Sequence, residues 1–247
     1  MIDYNRYVYT KRELVKYGLG GGIISFVILM LFYDHALVCM LLAVPAAVLF
    51  LKIFKHSLIE KRRWQLTVQF KDAMESLVSA MAAGYSLENA VGQAKKDLAL
   101  MYSEDDIIRK EFEHLVRKLE LKVPVEKLLG DLGMRSGVED IILFGEILVT
   151  AKKTGGNIVQ VMRRTSANIS EKIEMKREID ALVSGKKMES RCMTAVPLLM
   201  IVYLRIFSPG FLDPLYRNPA GAAVMTGALL VYAGAFLWGQ RIMKIDF

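Results

Sequence analysis

Residues 17–33 read YGLGGGIISFVILMLFY and residues 36–54 read ALVCMLLAVPAAVLFLKIF. Lys52 is the one Lys, Arg, Asp or Glu in the two runs together. Residues 192–212 and 219–239 repeat the character, with Arg205 as the single charge inside them. Each run is roughly 17 to 21 residues long, about what an α-helix needs to cross the hydrocarbon layer of a bilayer. The four runs form two close pairs around a highly charged middle. That distribution predicts a membrane protein with one internal water-facing domain.

The composition supports the segregation. The chain is 53% hydrophobic, with a mean hydropathy of +0.31, yet 24% of its residues are charged, as in an ordinary soluble domain. Residues 55–191 hold 24 of the 33 basic and 21 of the 26 acidic residues. The net charge of +7 is therefore spread over the middle and the membrane flanks and does not point to nucleic acid. Cys39 and Cys192 lie in or beside apolar runs without metal-ligand spacing, and are read as buried or lipid-facing thiols. The first apolar run is followed at once by a second with no small-residue cleavage pattern between them, so no cleavable signal peptide is expected.

Charge also predicts orientation. Lys11, Arg12 and Lys16 precede the first pair, and Lys52, Lys55, Lys61, Arg62 and Arg63 follow it, whereas its turn, Asp34-His35, has no Lys or Arg. The excess of Lys and Arg on cytoplasmic flanks places the N-terminus and the middle domain in the cytoplasm. Lys186, Lys187 and Arg191 before the third run, and Arg241 and Lys244 after the fourth, agree; Arg217 in the external loop 213–218 is the one vote against. Gly18, Gly20, Gly21, Gly22, Gly221, Ala222, Gly227 and Gly234 would permit close helix packing in lipid, or reflect the glycine bias of such helices. Arg205 is a candidate intramembrane polar site. With Pro209-Gly210 close behind, it could instead reach the outer interface or pair with Asp213.

The middle reads as helix throughout. Leu66, Phe70, Ala73, Met74, Leu77, Val78 and Met81 make a first helix, stopped at Gly84 in a left-handed position. Ser86 caps a second, carrying Leu87, Ala90, Val91, Ala94 and Leu98. Ser103 starts a third with Glu104, Asp105 and Asp106 in its first turn. A fourth runs from Pro124 to Gly133. Ser136 or Gly137 opens a fifth, with Ile141, Ile142, Phe144, Ile147 and Leu148 in its core face. Residues 154–157 form a turn, and a long sixth helix continues unbroken into the third apolar run. The expected architecture is all-α: a transmembrane hairpin (1–54), a cytoplasmic six-helix antiparallel bundle (55–191) and a second hairpin (192–247).

Catalytic templates fail. Ser184-Gly185-Lys186-Lys187 lacks the remaining residues of a phosphate-binding loop, and Gly84-Tyr85-Ser86-Leu87-Glu88 lacks the last glycine of a nucleophile elbow. His35, His56 and His114 form no zinc motif. Asp140 and Glu146 do not obviously converge and are read as solvated or salt-bridged. Gly155-Gly156 could cradle an anion at a helix start, but a plain interhelical turn is favoured. No cofactor, metal or catalytic group is expected.

The string Gly84-Tyr85-Ser86-Leu87-Glu88-Asn89-Ala90 resembles a turn of the type II secretion system F domain. Phe144-Gly145-Glu146 followed by Thr154-Gly155-Gly156-Asn157-Ile158-Val159 resembles that domain's second signature. The usual second signature has Gly-Glu followed closely by glycine; here Gly155-Gly156 come nine residues after Glu146, a spacing more similar to the tight-adherence branch. With the pattern of apolar pairs, the chain resembles the TadB/TadC proteins of tight-adherence (Flp) pilus systems. The resemblance implies an inner-membrane platform, not an enzyme, that couples a hexameric secretion ATPase to pilin assembly and pairs with itself or another F-domain protein. The family-motif turns would be Gly84, Ser86, Gly145, Glu146, Gly155, Gly156 and Asn157. Polar helix tips, namely Lys95, Lys96, Asp97, Glu104, Asp105, Asp106 and Arg135, are candidate partner contacts, with a solvated face as the alternative. A small transporter or channel is the competing reading, resting on Arg205; a membrane-bound lipid enzyme would need a convergent polar site that is not seen.

Overall fold

In the computed structural model the described residues are helices joined by turns, with no strand among them. Described are Tyr4 and residues 11–33, 35–208, 210–216 and 218–242. Asp34, Pro209, Arg217 and Lys244, and the side chains of Lys11, Arg12, Lys16, Phe54 and His56, lie outside the described residues. The helices are α1 (Lys11–Phe32), α2 (Ala36–Ala82), α3 (Leu87–Met101), α4 (Ile107–Glu120), α5 (Val125–Ser136), α6 (Glu139–Thr154), α7 (Ile158–Phe207), α8 (Asp213–Tyr216) and α9 (Pro219–Ile242). The chain forms two compact units: Met1–Val8 with Lys55–Arg177, and Tyr9–Phe54 with Glu178–Phe247.

In the first unit, one hydrophobic core draws on six helical segments: the later part of α2, α3, α4, α5, α6 and the start of α7. The buried positions follow helical spacing. On α3 they are Leu87, Ala90, Val91, Ala94 and Leu98; on α2, Leu66, Phe70, Ala73, Met74, Leu77 and Ala80. Phe70 meets Phe144 of α6 edge to face, with ring centroids 5.8 Å apart. Burying a side chain of this size contributes about 1.5–3 kcal/mol.

Several helix limits differ from the expectation. The second apolar run and the first helix of the middle are one 47-residue helix, because no glycine or proline interrupts residues 51–65. The acidic trio precedes α4 instead of filling its first turn: Asp106 is the N-cap residue, and its carboxylate accepts from the Ser103 amide at 2.9 Å. Gly133 does not end α5, which runs on to Ser136 and closes at left-handed Gly137. Neither Ser136 nor Gly137 opens α6, which starts at Glu139. Ser136 is buried, bonding the Gly133 carbonyl and receiving the Val138 amide. Ile147 is exposed, and the buried face of α7 stops at Ile173, leaving Met175 and Leu182 exposed.

In the second unit, Leu29, Cys39 and Ala43 are buried, with Phe26, Tyr33 and Leu229 packed against them, so α1, α2 and α9 meet there. Tyr33 shares a 2.6 Å hydrogen bond with Thr226. Both cysteines are free thiols, Cys39 buried and Cys192 exposed. Two described helical segments, the apolar end of Ile158–Phe207 and Ala220–Gly239, are long and apolar enough to cross a membrane. The apolar runs Tyr17–Phe32 and Leu37–Leu49 are shorter, so two of the four expected spans meet that length and composition. Of the glycines expected to permit close packing, Gly221 lies against the Leu215 backbone and Gly18 beside Leu51, whereas Gly20, Gly22, Gly227 and Gly234 face open space.

Candidate functional site at the paired turns of the helical unit

At the end of the helical unit where α2 finishes and α7 begins, two turns share one construction. Gly84, at φ +93°, closes α2: its amide bonds the Met81 carbonyl at 3.0 Å and the Tyr85 amide bonds the Ala80 carbonyl at 3.2 Å. This pairing satisfies carbonyls that a helix end otherwise leaves bare. Ser86 then caps α3, its hydroxyl accepting from the Asn89 amide at 3.3 Å. Further along the chain, Gly155 at φ +71° closes α6, the Gly156 amide reaches the Ala151 carbonyl at 2.8 Å, and the Asn157 side chain caps α7 by accepting from the Gln160 amide at 3.1 Å. Both motifs are thus a left-handed glycine, one spacer and a polar N-cap.

Lys152 draws the two turns together. Its Nζ lies 2.9 Å from Glu126 in the first turn of α5 and 3.9 Å from Glu88 in the first turn of α3. The Glu126 hydrogen bond holds the Lys152 ammonium above its ordinary range despite partial burial. Burial would raise the Glu126 carboxyl, but Lys152, a backbone amide and Lys127 outweigh it and leave it below the usual value. Beside them, Glu146, Ile147, Thr150, Ala151, Thr154 and Gly156 line an open groove. Among the described residues no cluster of His, Cys, Asp or Glu could hold a metal ion.

Gly145 and Glu146 are not turn residues. They lie inside α6, where Gly145 is buried and Glu146 is exposed in the groove. A Cβ on Gly145 would stand 3.0 Å from the Gly130 Cα, and one on Gly133 would stand 2.9 Å from the Ile142 Cα. The glycines let α5 and α6 approach backbone to backbone. Asp140, read as solvated or salt-bridged, pairs with Lys172 of α7 at 2.9 Å.

The candidate partner contacts fall at the other end of α3 and around it. Asp97 accepts from Ser76 and, at 3.0 Å, from Gln93. Glu104 and Asp105 pair with Arg109 and Lys110 at 3.4 and 3.0 Å. Asp106 accepts from the nearly buried Gln69 at 3.1 Å, and Gln69 in turn receives the Ile108 amide, clamping the start of α4 to α2. Lys96 is exposed and Lys95 half-buried. Arg135 is engaged inside the unit: it forks onto Glu111 at 3.1 and 2.9 Å and bonds Asp131 at 2.9 Å. Sequence reading passed over Glu111, Lys152, Glu126 and Tyr4. Glu111 alone had a signal, since it interrupts the apolar stripe Ile108, Phe112, Leu115.

In the second unit, the Arg205 Nη1 donates to the Met30 carbonyl at 2.8 Å, and the Tyr216 hydroxyl donates to the Leu31 carbonyl at 2.6 Å. Asp213 is the first residue of α8. Arg205 therefore finishes the C-terminal turn of α1, a bonding role that an intramembrane substrate site does not require.

The helical unit is all-α among its described residues, and its two matched turns lie, in sequence, between apolar helices. The model of the type II secretion system (T2SS) protein F family matches residues 73–204, more than half of the chain, and the chain belongs to that family. The family's members are membrane platform proteins of secretion and pilus machines, not enzymes, and they work in complexes with secretion ATPases and pilins. No curated protein and no solved structure matches the chain.

Proposed function

We propose that this chain is the inner-membrane platform of a type IV pilus of the tight-adherence (Flp) kind, of TadB/TadC type, or of a type II secretion machine. Four helices span the membrane, and the helical domain and both termini lie in the cytoplasm. The domain is an antiparallel six-helix bundle that couples a hexameric secretion ATPase to the assembly of pilin subunits, in a homo-oligomer or beside a paired F-domain protein. The observation that carries the reading is the F-family match across residues 73–204, flanked on both sides by apolar helices. Exposed Leu37, Leu41, Val231 and Trp238 suit contact with lipid. Tyr4 packs in the same unit as Lys55–Arg177, which favours an N-terminus on the domain's side of the membrane.

The surface offered to partners is the paired-turn end with Tyr85, Glu88, Lys153 and Asn157, together with Lys95, Lys96, Glu104 and Asp105 at the opposite end of α3. Affinity capture from solubilised membranes with this chain as bait, read by mass spectrometry, tests the proposal. Recovery of a secretion-type ATPase, a second F-domain protein or a pilin supports it. Recovery of none, under conditions that preserve known membrane complexes, overturns it.

A further inference from the structure

We infer that the helical unit carries a notch for the chain's own N-terminal segment, filled by Tyr4, and that Tyr4 acts there as a releasable latch. Three helices build the notch. The Tyr4 ring faces the Arg62 guanidinium of α2 at 5.2 Å. Its hydroxyl donates to Glu111 Oε1 of α4 at 2.7 Å, and its amide donates to the Arg135 carbonyl of α5 at 3.2 Å. The residue is 1% exposed. The family match begins at residue 73, so Tyr4 and Arg62 lie outside it, whereas Glu111 and Arg135 lie within it.

The bonding explains why the latch can open. Arg135 already engages both Glu111 oxygens, so the carboxylate keeps its counter-charge when Tyr4 leaves. What departs is one neutral donor, one ring and one backbone bond, and water can replace the first and last. Tyr4 stands seven positions ahead of Lys11, the first residue of α1. The latch thus ties Tyr4 to α2, α4 and α5 of its own unit.

Hydrogen–deuterium exchange on the full chain in lipid nanodiscs tests this without any assumption about the machine it serves. The Tyr4 amide in the wild-type chain is expected to exchange at least tenfold more slowly than an unprotected amide. Tyr4→Ala should return it to the unprotected rate and speed exchange near Glu111 and Arg135, while α3 is unchanged. Tyr4→Phe, which keeps the ring, should fall between. A wild-type Tyr4 amide exchanging at the unprotected rate overturns the latch. So does a Tyr4→Ala chain in which α3 loosens as much as α4 and α5, because Tyr4 would then be a fixed core residue.

Discussion

Arg135 of α5 grips Glu111 of α4 through both guanidinium Nη atoms, at 3.1 and 2.9 Å, with the Glu111 side chain 5% exposed and that of Arg135 15%. Planar two-point contact is something arginine can make and lysine cannot. Removing one partner leaves a buried charge, at a cost of about 3–5 kcal/mol. Arg135→Ala is therefore expected to destabilise the helical unit by roughly that much, and Arg135→Lys to recover only a minor part. Chemical denaturation followed by circular dichroism measures both. A loss below about 1 kcal/mol for Arg135→Ala, the level of an exposed pair, would contradict the geometry.

The contact between Gly145 and Gly130 explains a glycine that pattern reading takes for punctuation. A methyl on Gly145 meets backbone, which cannot rotate away, so α5 and α6 must separate. Gly145→Ala should cost about 1–3 kcal/mol, the range for overpacking, and Gly133→Ala at least as much. Gly130→Ala, whose Cβ would meet open space, should be mild. Thermal melts of the three variants give the order.

These positions mark how far the sequence can be read. Local features are legible: the Ser86 cap, the stop at Gly84, the glycine turn before α7 (155–157, since Thr154 still belongs to α6) and the unbroken run of α7 each follow from nearby residues. Glycine was ambiguous, because a chain-breaking and a close-packing glycine look alike until the neighbouring helix is placed. Ser103 and the acidic trio misled for a related reason. Any of four polar residues could cap α4, and Gln69, thirty-nine positions before Ile108, decides it by holding the Ile108 amide. Tyr4 and Lys152 depend wholly on distant partners and carry no local signal.

Gly84 and Gly155 should tolerate alanine less well than Gly156. The first two have positive φ, +93° and +71°, where a Cβ costs about 1–2 kcal/mol in backbone strain. Gly156 has an ordinary φ, and a Cβ there touches Ala151 at 3.4–3.5 Å, a contact that a small shift relieves. The expected melting temperatures place Gly156→Ala nearest the wild type. Equal losses at all three would remove the distinction between strain and contact.

Acid should weaken the helical unit through His114. Burial, then the nearby Lys118 charge, hold its imidazole below the ordinary 6.5, although Glu111 pulls the other way. The unfolded chain therefore binds the proton first, and stability falls as pH drops from about 6.5 through the lower folded value. Melting temperatures measured from pH 8 to 5 should decline, and His114→Gln should flatten the decline. Glu126 adds a separate loss below its ordinary 4.5, because its folded carboxyl is depressed. A variant as steep as the wild type between pH 7 and 5 would assign the slope elsewhere.

Arg205 and Tyr216 donate to neighbouring carbonyls, Met30 and Leu31, in the last turn of α1, where no further helical residue can bond them. The Arg205 guanidinium also stands 6.0 Å from the Tyr216 ring, so each side chain helps to position the other. A positive charge at a helix C-terminus is favourable as well, and more so where water is scarce. Arg205→Ala should therefore cost about 1.5–3 kcal/mol, the range for a charged hydrogen bond, and Tyr216→Phe about 1 kcal/mol. Their combination should depart from additivity by at least about 0.5 kcal/mol. Melts in lipid nanodiscs read all three. If Arg205→Ala instead kept the wild-type melting temperature and abolished pilus assembly or secretion, Arg205 would belong to the working surface and not to the closure of α1.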